Sequence, residues 1–143
     1  MRLLEELHAD PRLSMSELGR RVGMSAPAVT ERVQRLERLG VITGFRMDVD
    51  PAALGMPVTA IVRVRPGPGQ LPKVAEAARE TPQVVECLRI TGEDCFILKV
   101  LGPSIGQLEE ILDRFLLFGQ TTTSIVVSTP VPLRPLPLPA VPT

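Results

Sequence analysis

The chain has 143 residues, room for one domain or two small ones, and 44% of them are apolar, which is enough for ordinary globular cores. Sixteen basic side chains balance sixteen acidic ones, and no apolar run approaches the roughly 18 uncharged residues of a membrane span. The opening MRLLEELHADP carries acids inside its apolar pattern, unlike a signal peptide, so a cytoplasmic protein is expected.

Residues 1–9 read as a first helix, with Leu3, Leu4 and Leu7 on one side. It starts abruptly at Met1, with no cap. Ser14 and Glu17 then stand at capping-box spacing, and Leu13 and Leu18 at hydrophobic-staple spacing. A second start signal follows: Ser25 as cap, Met24 and Val29 as staple, Pro27 in the first turn. Gly23 lies between the two helices and Gly40 closes the second. Val29, Val33 and Leu36 make a buried stripe on that second helix. Pro27, Thr30, Glu31, Gln34, Arg35 and Arg38 fall on its other side. Two capped helices around a Gly turn form the sequence pattern of a helix-turn-helix. Its second helix would enter a DNA major groove N-terminus first, with Arg and Gln placed to reach base edges or phosphates.

VITGFRMDVD at 41–50 alternates and is read as a short strand or wing followed by a linker. PAALG at 51–55 is at most one helical turn. VTAIVRV at 58–64 is a strand, PGPG at 66–69 a turn, and LPKVAEAARE at 71–80 a helix with Leu71, Val74 and Ala78 inside. VVECLRI at 84–90 and CFILKVL at 95–101 are strands flanking a tight Gly92–Glu93 turn. Residues 103–118 form a helix with Ile105, Leu108, Ile111, Leu112 and Phe115 inside, and SIVVST at 124–129 is a last strand. The order βαββαβ is that of a ferredoxin-like domain, with two helices on one face of an antiparallel sheet. The other face needs a cover. The chain has four phenylalanines and no Trp or Tyr, so an aromatic platform for RNA bases is not expected there, and a second subunit is. The tail 130–143 holds six prolines and should be extended, laid on the partner subunit.

The fold class expected is therefore α+β: a (winged) helix-turn-helix at 1–44, a linker at 45–56, a ferredoxin-like domain at 57–129 and a Pro-rich tail at 130–143. Charge follows this division. From Arg12 to Arg46, seven arginines face three glutamates, a local +4; from Asp48 onward, eight basic residues face ten acidic ones, a local −2. An excess of +4 is modest for DNA binding, so more than one subunit should share the contacts. Cys87 and Cys95 read as small buried hydrophobes in a reducing compartment. With a two-residue turn, residue 90 faces 95, and the two thiols point to opposite sheet faces. The lone histidine, His8, is far from both, so neither a metal site nor a cofactor is expected.

SELGRRVGMSAPAVTERVQRLERLGVITGF, then DPAALG, VVECLRITGEDCFILKV and FGQTTTSIVVSTPV, resemble in this order the leucine-responsive regulatory protein/AsnC family of transcription regulators. The likeness runs to about Pro135, although the N-terminus is short for the family. The resemblance implies a DNA-binding regulator contacting double-stranded DNA through Ser25, Ala26, Pro27 and Thr30, and through Glu31, Gln34, Arg35 and Arg38. It implies homodimers that assemble to tetramers or octamers, with a small effector, typically an amino acid, bound where dimers meet. The effector would lie against Gly92, Glu93, Asp94 and Cys95 and against Gln120, Thr121, Thr122 and Thr123 before the last strand. Cys95 stands where family members with defined ligands often carry Asp, and a thiol is a poor partner for an α-ammonium group. The alternative is an enzyme, because some haem-biosynthesis decarboxylases resemble the family. They depend on histidine, which the C-terminal half lacks, so no catalytic residue is expected.

Overall fold

The computed structural model describes residues 1–139 and divides into two compact units: Met1–Asp48 together with the chain from Val131, and Val49–Pro130. In the first unit, helices α1 (Arg2–Ala9), α2 (Met15–Val22) and α3 (Ala26–Arg38) bury Leu3, Leu7, Leu18, Val29 and Val33 together. Both serine caps form, but the Glu17 carboxylate, at capping-box spacing, accepts from Arg20 and Arg21 rather than from the Ser14 N–H. Ser14 Oγ accepts from the Glu17 N–H at 3.1 Å, and Ser25 Oγ from the Ala28 N–H at 3.3 Å. Gly23 ends α2 with φ 73°, a left-handed conformation that costs glycine nothing, and its N–H bonds Gly19 O. Glu6 of α1 accepts from Arg21 of α2 at 3.2 Å, tying the first two helices together.

Residues 41–50, read as a strand or wing, form neither strand nor helix. The Val41 and Ile42 N–H groups both bond Leu36 O, ending α3, and the chain then runs on with no neighbouring strand to complete a ladder. The expected single turn is a 3-10 helix over Pro51–Leu54, capped by Asp50. In the described part of the tail, Leu136 and Leu138 line an apolar cavity with Leu4, Leu7, Val41 and Phe45 of the same unit. Residues 140–143 lie outside the described part.

The second unit contains β1 (Val58–Pro66), α4 (Leu71–Glu80), β2 (Val84–Arg89), β3 (Phe96–Gly102), α5 (Ile105–Leu116) and β4 (Gly119–Ile125). The strands lie in the order β2-β3-β1-β4, all antiparallel, with α4 and α5 on one face. Period-two alternation makes the core: Ala60, Val62 and Val64 of β1 and Phe96, Leu98 and Val100 of β3 point at Val74, Ala78, Leu108, Leu112 and Phe115 of the helices. The opposite face carries Ile61, Arg63, Arg65, Leu88, Ile97 and Lys99.

Three expectations need correcting. The last strand is Gly119–Ile125, not 124–129, so Gln120 to Thr123 lie within it rather than before it. An edge strand needs only backbone pairing, and the polar run supplies it, with Ala60 opposite Ile125 and Arg63 opposite Thr122; Val127, beyond the end, is 95% exposed. Ile105, placed inside α5 by its spacing, is exposed because it sits in the first turn, beyond the sheet. Neither cysteine is fully buried: Cys87 is exposed on the edge strand β2, and Cys95 is half-buried.

Candidate nucleic-acid interface and effector region

Ser25, at the N-cap of α3, holds its hydroxyl on the Ala28 N–H while Pro27 occupies the first turn without losing a helix bond. Thr30 donates its hydroxyl hydrogen to Ala26 O at 2.8 Å, and both residues are half-buried. Ser25, Pro27, Glu31, Gln34, Arg35 and Arg38 are exposed along one side, opposite the buried Val29 and Val33.

The arginines of the unit divide by role. Arg20 and Arg21 of α2 are engaged with Glu17, and Arg21 also with Glu6. The hydrogen bonds to Glu6 and then Glu17 hold the Arg21 guanidinium further above its ordinary pKa. On α3 no such pairing occurs: among the described residues no carboxylate lies within ion-pairing distance of Arg32, Arg35 or Arg38. Arg32, which the sequence argument left out, is exposed on the flank of the same helix. Its charge was visible in the sequence. α3 therefore offers uncompensated guanidinium donors to phosphate or base edges.

In the second unit the β2–β3 connection is longer than the two-residue turn expected. The last ladder contacts are Arg89 opposite Phe96 and the Ile90 N–H on Cys95 O at 2.7 Å, leaving 91–94 as the loop. Residue 90 still meets residue 95, and Cys87, opposite Leu98, remains unbridged to Cys95. Gly92 has φ 102°, which an L side chain rarely adopts. Cys95 has φ 47°, uncommon outside glycine, and its Sγ lies 3.7 Å from Gly92 O and 3.6 Å from Glu93 O. Glu93 is exposed at the loop tip and Asp94 is half-buried.

β1 brings this loop near the other predicted segment. Gln120 is the register partner of Arg65 and Thr122 that of Arg63, on the helix-free face; Thr121 and Thr123 alternate onto the side of α4 and α5. Arg65 reaches across to Glu93, Nη2 to Oε2 at 3.1 Å. The eight residues expected to line the effector region thus fall at the end of β1, with Gln120 and Thr122 on the same face as Arg65 and the other two Thr residues on the reverse. Arg65 itself was missed. The alternation of VTAIVRVR marks it as outward-facing, but only the register places it between the loop and β4.

A helix-turn-helix with free arginines on its second helix, followed by a ferredoxin-like domain, is the build of a DNA-binding transcriptional regulator. Residues 1–43 match the model for a winged helix-turn-helix DNA-binding domain, and residues 59–136 match that for the Lrp/AsnC ligand binding domain. The chain belongs to the Lrp/AsnC family. It is 35% identical over 128 residues to the HTH-type transcriptional regulator LrpC of Bacillus subtilis, covering 90% of this chain and 89% of that one. With LrpA of Mycobacterium tuberculosis it shares 36% identity over 130 residues, covering 89% and 87%. The solved structure of LrpC superposes with a TM-score of 0.83, covering 89% and 91% of the two chains. A feast or famine regulatory protein of M. tuberculosis, complexed with L-methionine, is 33% identical and superposes at 0.83 over 94% and 93%.

Proposed function

We propose that this regulator reads DNA through α3 and responds to an amino acid held near the β2–β3 loop. The observation that carries the first part is the row of unpaired Arg35 and Arg38, with Gln34, on the exposed side of a capped helix. Ser25, Ala26, Pro27 and Thr30 would approach the groove first, and Glu31 would border the arginines. Paired α3 helices from a dimer would enter successive major grooves, which multiplies the few phosphate contacts of one subunit. The helix-free sheet face, with Ile61, Ile97 and the 49% exposed Leu88 amid charged neighbours, is the surface proposed for pairing subunits, with tetramers or octamers built from those dimers.

The effector part is supported by the match to a ligand-binding domain and by the relative solved with L-methionine. The residues proposed to line the site are Gly92, Glu93, Asp94 and Cys95 with Gln120, Thr121, Thr122 and Thr123. The protein is proposed to act without catalysis in the cytoplasm; no helix of the described residues is long and apolar enough to cross a membrane.

The DNA reading is tested by Arg35→Ala/Arg38→Ala, using duplexes that the wild-type protein enriches from a random pool. Affinity should fall at least about 30-fold, since each base-reading arginine is worth about 1–3 kcal/mol. Oligomer size by light scattering should not change. Sequence-specific binding retained by the double variant would overturn the assignment of α3.

A further inference from the structure

The N-terminal unit holds a cavity of 490 Å³, within the roughly 300–1,000 Å³ of small-molecule sites. Its walls are Leu4 and Leu7 of α1, Val41 and Phe45 of the segment after α3, and Leu136 and Leu138 of the tail. Val41, Phe45 and Leu136 stay 55%, 53% and 67% exposed, so the fold of this unit leaves much of the apolar wall uncovered. Single exposed apolar residues are ordinary, but a cluster of them around one cavity marks a binding surface. The ionisable side chains on the wall are His8 and Arg46; among the described residues no carboxylate lines it. Arg46 also lines an adjoining opening, where Arg134 of the tail stands with Asp48. Among the described residues neither guanidinium is paired with a carboxylate. One end of an apolar cavity thus carries two guanidinium groups against one acid, and contact neutralises neither of them.

We infer that this cavity binds a medium-chain aliphatic carboxylic acid, its chain against the leucine walls and its carboxylate on Arg46 and Arg134. Charge selects the head of the ligand. An anion between the two guanidinium groups relieves their repulsion and gains forked, charge-assisted hydrogen bonds. The walls select the rest. Besides Arg46, the polar side chains lining the cavity are His8 and Thr43, too few to satisfy a sugar or a nucleotide, whose buried polar groups would go unpaired. An aliphatic chain has no such groups and covers the exposed Val41, Phe45 and Leu136 instead. The site lies in the N-terminal unit, apart from the amino-acid region proposed above, and does not depend on that reading. Residues 41–46 leave α3 through the bonds of the Val41 and Ile42 N–H groups to Leu36 O, so occupancy bears on the end of the helix proposed to read DNA.

The test titrates butyrate, octanoate, decanoate and octylamine, each below its micelle-forming concentration, into the full-length protein by calorimetry. Octanoate and decanoate should bind, and decanoate roughly 15-fold more tightly, because each further buried methylene adds about fourfold. Butyrate, too short to cover the walls, should show no binding. Octylamine, with the same chain and the opposite charge, should show none either. R46Q and R134Q should each weaken octanoate binding roughly 10- to 100-fold, the loss expected for one hydrogen bond to a charged group. V41W, which fills the cavity from an exposed position, should abolish binding while circular dichroism shows its helix content unchanged. R46Q and R134Q decide the matter if V41W loses its helices. Failure of octanoate and decanoate to bind the wild type, as when a second subunit covers the cavity, overturns the inference. Octylamine binding as tightly as octanoate overturns it too, since apolar adsorption needs no carboxylate site. Wild-type affinity in both R46Q and R134Q, or in a folded V41W, would place the acid elsewhere and sink the assignment of this cavity.

Discussion

In the N-terminal unit five side chains, Leu3, Leu7, Leu18, Val29 and Val33, are buried together, whereas the sheet domain buries eleven together, Phe115 among them. The small unit compensates with short-range devices: two serine caps, a left-handed Gly23, and the Glu6–Arg21–Glu17 ion pairs. The sheet domain relies on residues far apart in sequence, with β1 between β3 and β4 and both helices packed on one face. Small cores cannot carry much stability alone, so local capping weighs more where the core is small. The largest expected effect lies on the long-range side. Phe115→Ala removes a fully buried ring and should cost about 3–5 kcal/mol. Urea unfolding followed by amide exchange should show β1–β4 losing protection while α2 and α3 keep theirs. Equal loss in both units would mean that they unfold as one, and the contrast between them would be wrong.

The same contrast decides what the sequence discloses. Ser14, Ser25, Gly23 and the Val29–Val33 stripe act within a few residues of themselves, and each was readable as written. The order of strands was also readable, because alternation and helical spacing are local. What escaped depends on register. Read by apolar content, the last strand falls at SIVVST, yet the backbone pairs Gly119–Ile125 because β1 supplies the partner groups there. The same register puts Arg65 opposite Gln120, and its side chain reaches Glu93. Nothing in the spacing of residues 65, 93 and 120 announces that. Residues 41–50 show the converse: their alternation is real, but a strand requires a partner, and the described chain provides none. The loop at 91–94 was misjudged by two residues because Cys95 adopts a conformation that composition does not signal for cysteine.

Gly19 gives the contrast a second, smaller test. It is buried inside α2, where glycine ordinarily weakens a helix by about 1 kcal/mol relative to Ala. A Cβ there would stand 2.4 Å from Met24 O, a backbone atom in the turn that cannot swing aside. Gly19→Ala should therefore destabilise the N-terminal unit by about 1–3 kcal/mol, the usual cost of overpacking, against the helix preference. Circular dichroism melts would show it as an earlier loss of helix, with the sheet domain's amide protection intact. A stabilised variant would show that the α2–α3 turn yields, and that the small unit is looser than its caps imply.

The smallest effect makes the sharpest comparison, because the same bond exists in both units. Ser25 Oγ accepts from the Ala28 N–H at 3.3 Å in the small unit, and Ser104 Oγ from the Gln107 N–H at 3.2 Å at the start of α5. Each serine, changed to Ala, leaves one first-turn N–H without its partner and should cost about 1 kcal/mol. The consequences should differ. In α5 the first turn is followed by Leu108, Leu112 and Phe115, whose burial holds the helix after its cap is lost. In α3 only Val29 and Val33 are fully buried, with the half-buried Leu36 beside them, and the N-terminal turn that loses its cap is the part proposed to enter the groove. Amide exchange should thus show local fraying at Ala28 and Val29 in Ser25→Ala, with DNA affinity falling by several-fold, roughly the tenfold that 1.4 kcal/mol would give or less. Ser104→Ala should leave exchange in the core of α5, and DNA affinity, close to wild type. Equal fraying in the two helices would mean that burial, not capping, sets the stability of α3 as well.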